Sequence, residues 1–290
     1  MHRAKALLML AASLPAFCLD FSGASALEFT RKAVAFGPRP PGSQANRNEQ
    51  AWIKAELHKL PKCQVIEDAF TGQTPKGPIA MKNIIARFPG ASGRAIVLTG
   101  HFDTKLFPGR NFVGANDGGA SAGILLELAR VVATRSYPDD VYFVWYDGEE
   151  AIGEWSSTDG IHGSRHLASK WTADGTVGRI KALVNVDMIG DKDLGIMQVT
   201  NSSPKLLRLV WQIAREMGYG KYFLDDGGAI EDDHIPFVHA GVNSLDLIDF
   251  DYGPGNRYWH TDQDTMDKIS AHSLEVVGNV LLELVRRLGS

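Results

Sequence analysis

The sequence predicts one α/β domain, with a mixed, mostly parallel central sheet and helices on both faces. Two observations carry this expectation. From residue 95 onward, short apolar runs alternate with stretches of helical apolar spacing, the pattern of a parallel sheet covered on both sides. No linker, low-complexity tract or internal repeat divides the 290-residue chain. The 264 residues beyond the first 26 suffice for a substantial core without a disulfide staple.

The elements follow in order. Basic His2, Arg3 and Lys5 precede an apolar run over residues 6–17 and a small-residue site at Ala24, Ser25 and Ala26, the layout of a secretory signal peptide. Residues 1–26 are expected to be removed on export to the periplasm or exterior, leaving 27–290 as the folded domain. An uncleaved anchor is the lesser alternative. The run is shorter than the roughly 20 apolar residues that span a bilayer. Residues 28–35 and 45–60 read as helices, joined by a rigid corner at 37–42, where Pro38, Pro40 and Pro41 exclude regular structure. Residues 64–70 and 83–88 read as antiparallel edge strands. Strands at 95–99, 141–146 and 182–186 then alternate with helices at 120–133 and 164–171. A helix at 204–217, a strand at 244–248 and a helix at 273–288 complete the domain.

Composition narrows the function classes. Cys18 falls in the signal segment, so Cys63 stands alone in the mature chain and is read as a small buried apolar residue. Loss of Arg3, Lys5 and Asp20 takes the formal charge from −4 to −5, which offers nucleic acid or an anionic membrane no attraction.

Ligands of open α/β sheets sit beyond the carboxyl ends of the strands, and the acidic residues gather there. His101 and Asp103 follow the first parallel strand, and Asp117 stands in a Gly-rich turn, where capping the next helix is its alternative use. Asp147, Glu149 and Glu150 end the second strand and Asp187 the third. Glu231, Asp232, Asp233 and His234 precede an apolar helical turn, and His260 lies in a late loop. Buried together, such carboxylates raise each other's pKa unless a cation intervenes. Oxygen and imidazole donors without thiolate point to zinc first, with manganese or cobalt as substitutes. Adjacent Glu149 and Glu150 cannot both ligate one ion comfortably, so the pair supplies a metal ligand beside a general base. His234 is expected to make an orienting hydrogen bond behind the metal. His58, His162, His166, His239 and His272, without acidic company in sequence, are read as surface or packing residues.

These stretches together resemble the animal-type zinc-dependent glutaminyl-peptide cyclotransferases, relatives of the two-zinc aminopeptidases. The likeness runs through His101 to Lys105, Phe112 to Asp117, Asp147 to Ala151 with Trp155, Gly163 to Ala168, Asp187 to Gly190, Glu231 to Phe237, and Trp259 to Thr261. It implies a zinc aminopeptidase-like fold and a single zinc ion held by Asp117, Glu150 and His260, with Glu149 as general base and acid. Asp187 and Asp232 then form a hydrogen-bonded acidic pair, and Trp155 and Trp259 hold the substrate's glutamine side chain. The implied partners are peptides or proteins with a free N-terminal glutamine, met by a monomeric enzyme.

The competing reading is a secreted two-zinc aminopeptidase, in which His101, Asp117 and Asp187 hold a second metal with Asp103 behind them. The doubled Asp232-Asp233 and the tryptophan before His260 favour the cyclase. A non-catalytic binding module on the same fold is the third reading; such modules lose their metal and base residues, and this chain keeps them.

Overall fold

The computed structural model describes residues 21–289. Its centre is a six-stranded sheet in the order β1 (Gln64–Thr74), β2 (Gly77–Phe88), β4 (Asp140–Tyr146), β3 (Ala95–His101), β5 (Ile180–Asp187) and β8 (Ser244–Ile248). β4, β3, β5 and β8 run parallel, while β2 is antiparallel to both β4 and β1. The sheet is mixed and mostly parallel, as expected, but β2 is enclosed between β1 and β4 and is no edge strand. A separate parallel pair, β6 (Ile196–Val199) and β7 (Phe223–Gly228), is not foreseen by the sequence, because strands of 4 and 6 residues carry too little periodicity.

Alternation within the parallel strands feeds two cores. Ile96, Leu98, Phe143, Trp145, Val184 and Val186 face one layer, where they meet α1 (Gly23–Val34), α2 (Gln44–Leu57), α3 (Gly119–Ala133), α5 (Pro204–Glu216) and α7 (Ala271–Leu288). Val97, Tyr142, Val144, Tyr146 and Leu183 face the other, under α4 (His162–Ala173) and the short α6 (Ile235–His239). Fully burying one such side chain contributes about 1.5–3 kcal/mol. Trp145 is fully buried and still uses its indole N–H, which donates to the Ala122 carbonyl at 3.2 Å. Cys63 is a half-buried free thiol packed against the larger core, and burial raises it to about 11.

The folded domain starts ahead of the expected boundary at residue 27. Ser22 caps α1 by accepting the amide of Ser25, and the Ser22 N–H and Ser25 hydroxyl donate to buried Glu127 at 3.0 and 2.7 Å. A Cβ on Gly23 would lie 2.0 Å from the Ala271 carbonyl oxygen, so only glycine lets α1 seat this closely on α7. Phe21 is buried against Gly278. Ala24, Ser25 and Ala26 are thus inside a packed helix, and the remainder of the expected signal segment lies outside the described residues. None of the described helices is long and apolar enough to cross a membrane.

Because β3, β4 and β5 are parallel, His101, Tyr146 and Asp187 all finish at one edge of the sheet, and the loops that follow converge there.

Candidate active site

Two overlapping groups of donor atoms occupy that edge. His101, Asp117 and Asp187 each offer one atom, all within 4.8 Å of one another, and Asp117, Glu150 and His260 do the same. Asp117 belongs to both and divides its oxygens: Oδ1 lies 3.3 Å from His101 Nε2, and Oδ2 lies 3.3 Å from His260 Nε2. His101 Nε2 is 3.1 Å from Asp187 Oδ1, and His260 Nε2 is 3.0 Å from Glu150 Oε1. The capping alternative for Asp117 fails, because Gly118 occupies the N-cap of α3 with φ +85° and the aspartate side chain turns inward.

Backbone and buried polar groups fix these positions. Asp264, which the sequence reading overlooks, accepts the amides of Asn116 (2.8 Å) and Asp117 (3.2 Å) and the Tyr252 hydroxyl (2.7 Å). It thereby ties the loop of His260 to the turn of Asp117. Asp103 accepts the amides of Glu149 and Glu150 and stands 3.7 Å from His101 Nδ1. The Ile161 amide donates to the Glu149 carbonyl at 2.6 Å. Three non-glycine residues in or beside the site have left-handed backbones: Ile161 (φ 45°), Met188 (φ 51°) and His260 itself (φ 54°). Each costs of order 1–3 kcal/mol, strain that persists only where the surroundings demand it.

The electrostatics show what the constellation lacks. Burial works against protonation of His101 and His260, yet surrounding carboxylates overcome it; His101 is raised well above its ordinary value and His260 to about 10. Burial would raise Asp117 as well, but the hydrogen bonds from both imidazoles outweigh it and hold that carboxyl below the usual range. Burial and neighbouring acids raise Glu149, Glu150 and Asp187, and Asp232 to about 7. The buried carboxylates thus draw positive charge toward the imidazoles. A divalent cation supplies that charge with the imidazoles neutral, which is the form that binds metal. The spacing fits, since a tetrahedral ion with bonds of about 2.0–2.1 Å separates its ligand atoms by about 3.3 Å. With oxygen and nitrogen donors and no thiolate, these residues suit zinc.

Other expectations fare unevenly. The acidic pair is arranged differently from the implied one: Asp187 hydrogen-bonds His101, while Asp232 accepts from Asn185 (3.0 Å), which also donates to Asp246, with Asp187 acting on Asp232 through charge. His234 makes no orienting bond. Both ring nitrogens lack a hydrogen-bond partner among the described residues, and burial lowers it to about 4, so it is a neutral packing group. Asp147 points away from the site into a cradle of Asn46, Gln50 and the Lys82 amide. His162 and His166 do have acidic company: Asp159, three residues earlier in the chain, lies 3.2 Å from His162, and the fold brings the distant Asp68 to 3.3 Å from His166.

Beside the donors opens a cleft of about 520 Å³ lined by Lys105, Trp155, Ile230, Phe250 and Trp259, with Glu149 and Asp232 in its wall. Trp155 is 39% exposed and so is no core aromatic. Trp259 stacks on His260 at 4.2 Å between ring centroids and packs on Phe250. Lys105, to which the sequence alone assigns no role, donates to the Ala151 carbonyl and lies 3.6 Å from Glu150 Oε2. Its place in the motif beginning at His101 is the signal that could have found it.

Comparison with known proteins agrees with this geometry. Residues 83–285 match Peptidase family M28. The glutaminyl-peptide cyclotransferase of Drosophila melanogaster is 32% identical over 280 residues, covering 87% of this chain and 78% of that protein. The crystal structure of an Acidobacteriales bacterium glutaminyl cyclase superposes with a TM-score of 0.89 at 41% identity, covering 98% of this chain and 99% of that one. The Porphyromonas gingivalis glutaminyl cyclase gives 0.84 at 30% identity over 92% and 99%. The chain is a member of peptidase family M28, within its glutaminyl-peptide cyclotransferase branch.

Proposed function

We infer that this enzyme closes the N-terminal glutamine of peptides or proteins to pyroglutamate and releases ammonia. The observation that carries its mechanism is the placement of Glu149 beside the convergent Asp117, Glu150 and His260, in the wall of a cleft flanked by two tryptophans. Asp117, Glu150 and His260 would hold one zinc ion. When bound there, zinc supplies Lewis-acid polarisation of the side-chain amide carbonyl.

The protein's own groups do the rest. Trp155 and Trp259 confine the glutamine side chain so that the α-amine lies against its own amide carbon, a proximity gain. Glu149 takes a proton from the amine as the N–C bond forms and returns one to the departing nitrogen, which leaves as ammonia. Such general acid–base help is worth about 10² to 10⁴ in rate. The raised affinity of Glu149 for a proton, set by burial and by Glu150, Asp232 and Asp233, suits a group that must both accept and donate. Asp187 and Asp232 line the same cleft as Glu149 and offer the amine hydrogen-bond acceptors.

A second reading has a specific observation behind it. His101, Asp117 and Asp187 form a second complete group, as a two-metal aminopeptidase requires. Incubation with one peptide beginning with glutamine and one beginning with leucine, read by mass, separates the two. Loss of ammonia from the first supports the cyclase; loss of a residue from either supports the peptidase. Zinc counted per purified chain then reports whether one or both groups fill. Export rests on the basic and apolar N-terminal segment, and detection of the protein in a periplasmic or culture fraction tests it.

A further inference from the structure

The proline-rich corner at 37–42 contains Arg39, whose side chain is completely buried. A guanidinium leaves water only when its donors find partners. Here Nε–H donates to the Phe102 carbonyl at 2.9 Å, one terminal nitrogen to the Val113 carbonyl at 2.5 Å, and the other to the Gly114 carbonyl at 3.0 Å. The Glu49 carboxyl, equally buried, lies 2.8 Å from Nε. The Arg39 amide donates to Thr104 Oγ1 at 2.9 Å, and the Thr104 amide returns a bond to the Arg39 carbonyl at 3.4 Å.

These partners belong to two different loops. Phe102 and Thr104 follow His101 and flank Asp103; Val113 and Gly114 lead into Asp117. The turn has little slack, since a Cβ on Gly114 would lie 2.3 Å from the Asp117 carbonyl oxygen and 2.9 Å from Thr104 Cγ2. Three carbonyls are thus pinned by one rigid planar group. Every ion placed in either donor group must use Asp117, so the position of that turn relative to His101 sets the opening an ion meets.

We propose that Arg39 is a positioning residue for the metal centre, its fork fixing the distance between loop 101–104 and turn 113–117. The proposal rests on the zinc reading above. Lysine offers no such fork, because its ammonium is a point charge on a flexible stem. Loss of a group that orients metal ligands costs about 10- to 100-fold in metal affinity.

The test is Arg39→Lys in the full chain, which keeps the charge opposite Glu49. Zinc affinity, measured by competition with a chromophoric chelator, is expected to weaken 10- to 100-fold, with kcat falling and KM for a glutamine peptide held within about threefold. Leu57→Ala is the control for stability alone: Leu57 is buried on α2, and its loss should lower Tm with zinc affinity unchanged. Should Arg39→Lys give no folded protein, Thr104→Val removes the hydroxyl that accepts the Arg39 amide and should weaken zinc at least threefold. Zinc binding by the parent, with these variants no weaker than Leu57→Ala, overturns the proposal alone. A parent chain that binds no zinc overturns the metal reading and the proposal with it.

Discussion

One oxygen of Asp103 accepts the backbone N–H of Glu149 at 3.1 Å, and the other accepts that of Glu150 at 3.3 Å. A single carboxylate just beyond β3 therefore orients both residues, Glu149 and Glu150, to which we assign the general base and a metal ligand. Asp103→Asn replaces one acceptor oxygen by an N–H₂ that meets an amide head-on. The expected result is a fall in kcat of roughly tenfold or more, since a hydrogen bond to a charged group is worth about 1.5–3 kcal/mol. Steady-state kinetics on a glutamine peptide, beside a melting curve to confirm folding, checks this.

Glu149→Gln keeps the shape of the side chain and removes its proton chemistry. Turnover should fall by about 10² to 10⁴, while zinc content, measured by atomic emission on purified protein, stays at the parent level. Full activity in this variant would take Glu149 out of the mechanism.

Gly160 lies under Trp155 with φ +110°, and a Cβ there would come 2.9 Å from the indole ring. Gly160→Ala must displace that ring from the cleft wall. KM for a glutamine peptide should rise several-fold and kcat change less, a split that initial-rate measurements over a range of substrate concentrations resolve.

Stability should depend on pH in a direction set by two buried acids away from the donor atoms. Burial raises Glu49 to about 8, aided by Asp103 and Asp147 and opposed by Arg39, and burial raises Asp249 to about 7. Between their unfolded values, near 4.5 and 3.8, and these folded ones, the native state holds protons that the unfolded chain has released. Stability from these groups is therefore fully present below pH 3.8 and is lost progressively as pH rises to about 8. Chelator-treated protein should show Tm falling over that window, and Glu49→Gln should flatten the slope, as read by calorimetry across buffers.

Removal of residues 1–26 should cost more than removal of residues 1–20. The longer cut deletes the Ser22 cap, worth about 1 kcal/mol, and the burial of Phe21, worth about 1.5–3 kcal/mol. A Tm lower by several degrees in the shorter protein is expected from comparative thermal melts.

Much of the architecture could be read from periodicity, because the helices and the parallel strands that form the cores repeat at 3.6 residues or run apolar throughout. The converging donors are legible for a related reason: loops at the carboxyl ends of parallel strands meet in one crevice, so acids and imidazoles repeated there, as at His101, Glu150 and Asp187, are brought together. What escaped is long-range. Arg39 and Asp264 look like ordinary loop charges until folding brings them to carbonyls and amides more than 60 and 140 residues away. His234 follows two acids in sequence, yet its fully buried ring finds no hydrogen-bond partner among the described residues. Asp68, the partner of His166, lies 98 residues away and is hidden from the sequence for the long-range reason, whereas Asp159 stands three residues before His162 and could have been seen.

The seating of α1 on α7 also has a consequence for synthesis. The ribosome makes α1 long before α7, so the first helix must wait, one face uncovered, until the chain through residue 288 has emerged. A chain stalled before residue 271 carries the donors up to His260 yet lacks the helix that closes this layer. Such a nascent chain should be a better client for a holding chaperone than the finished protein.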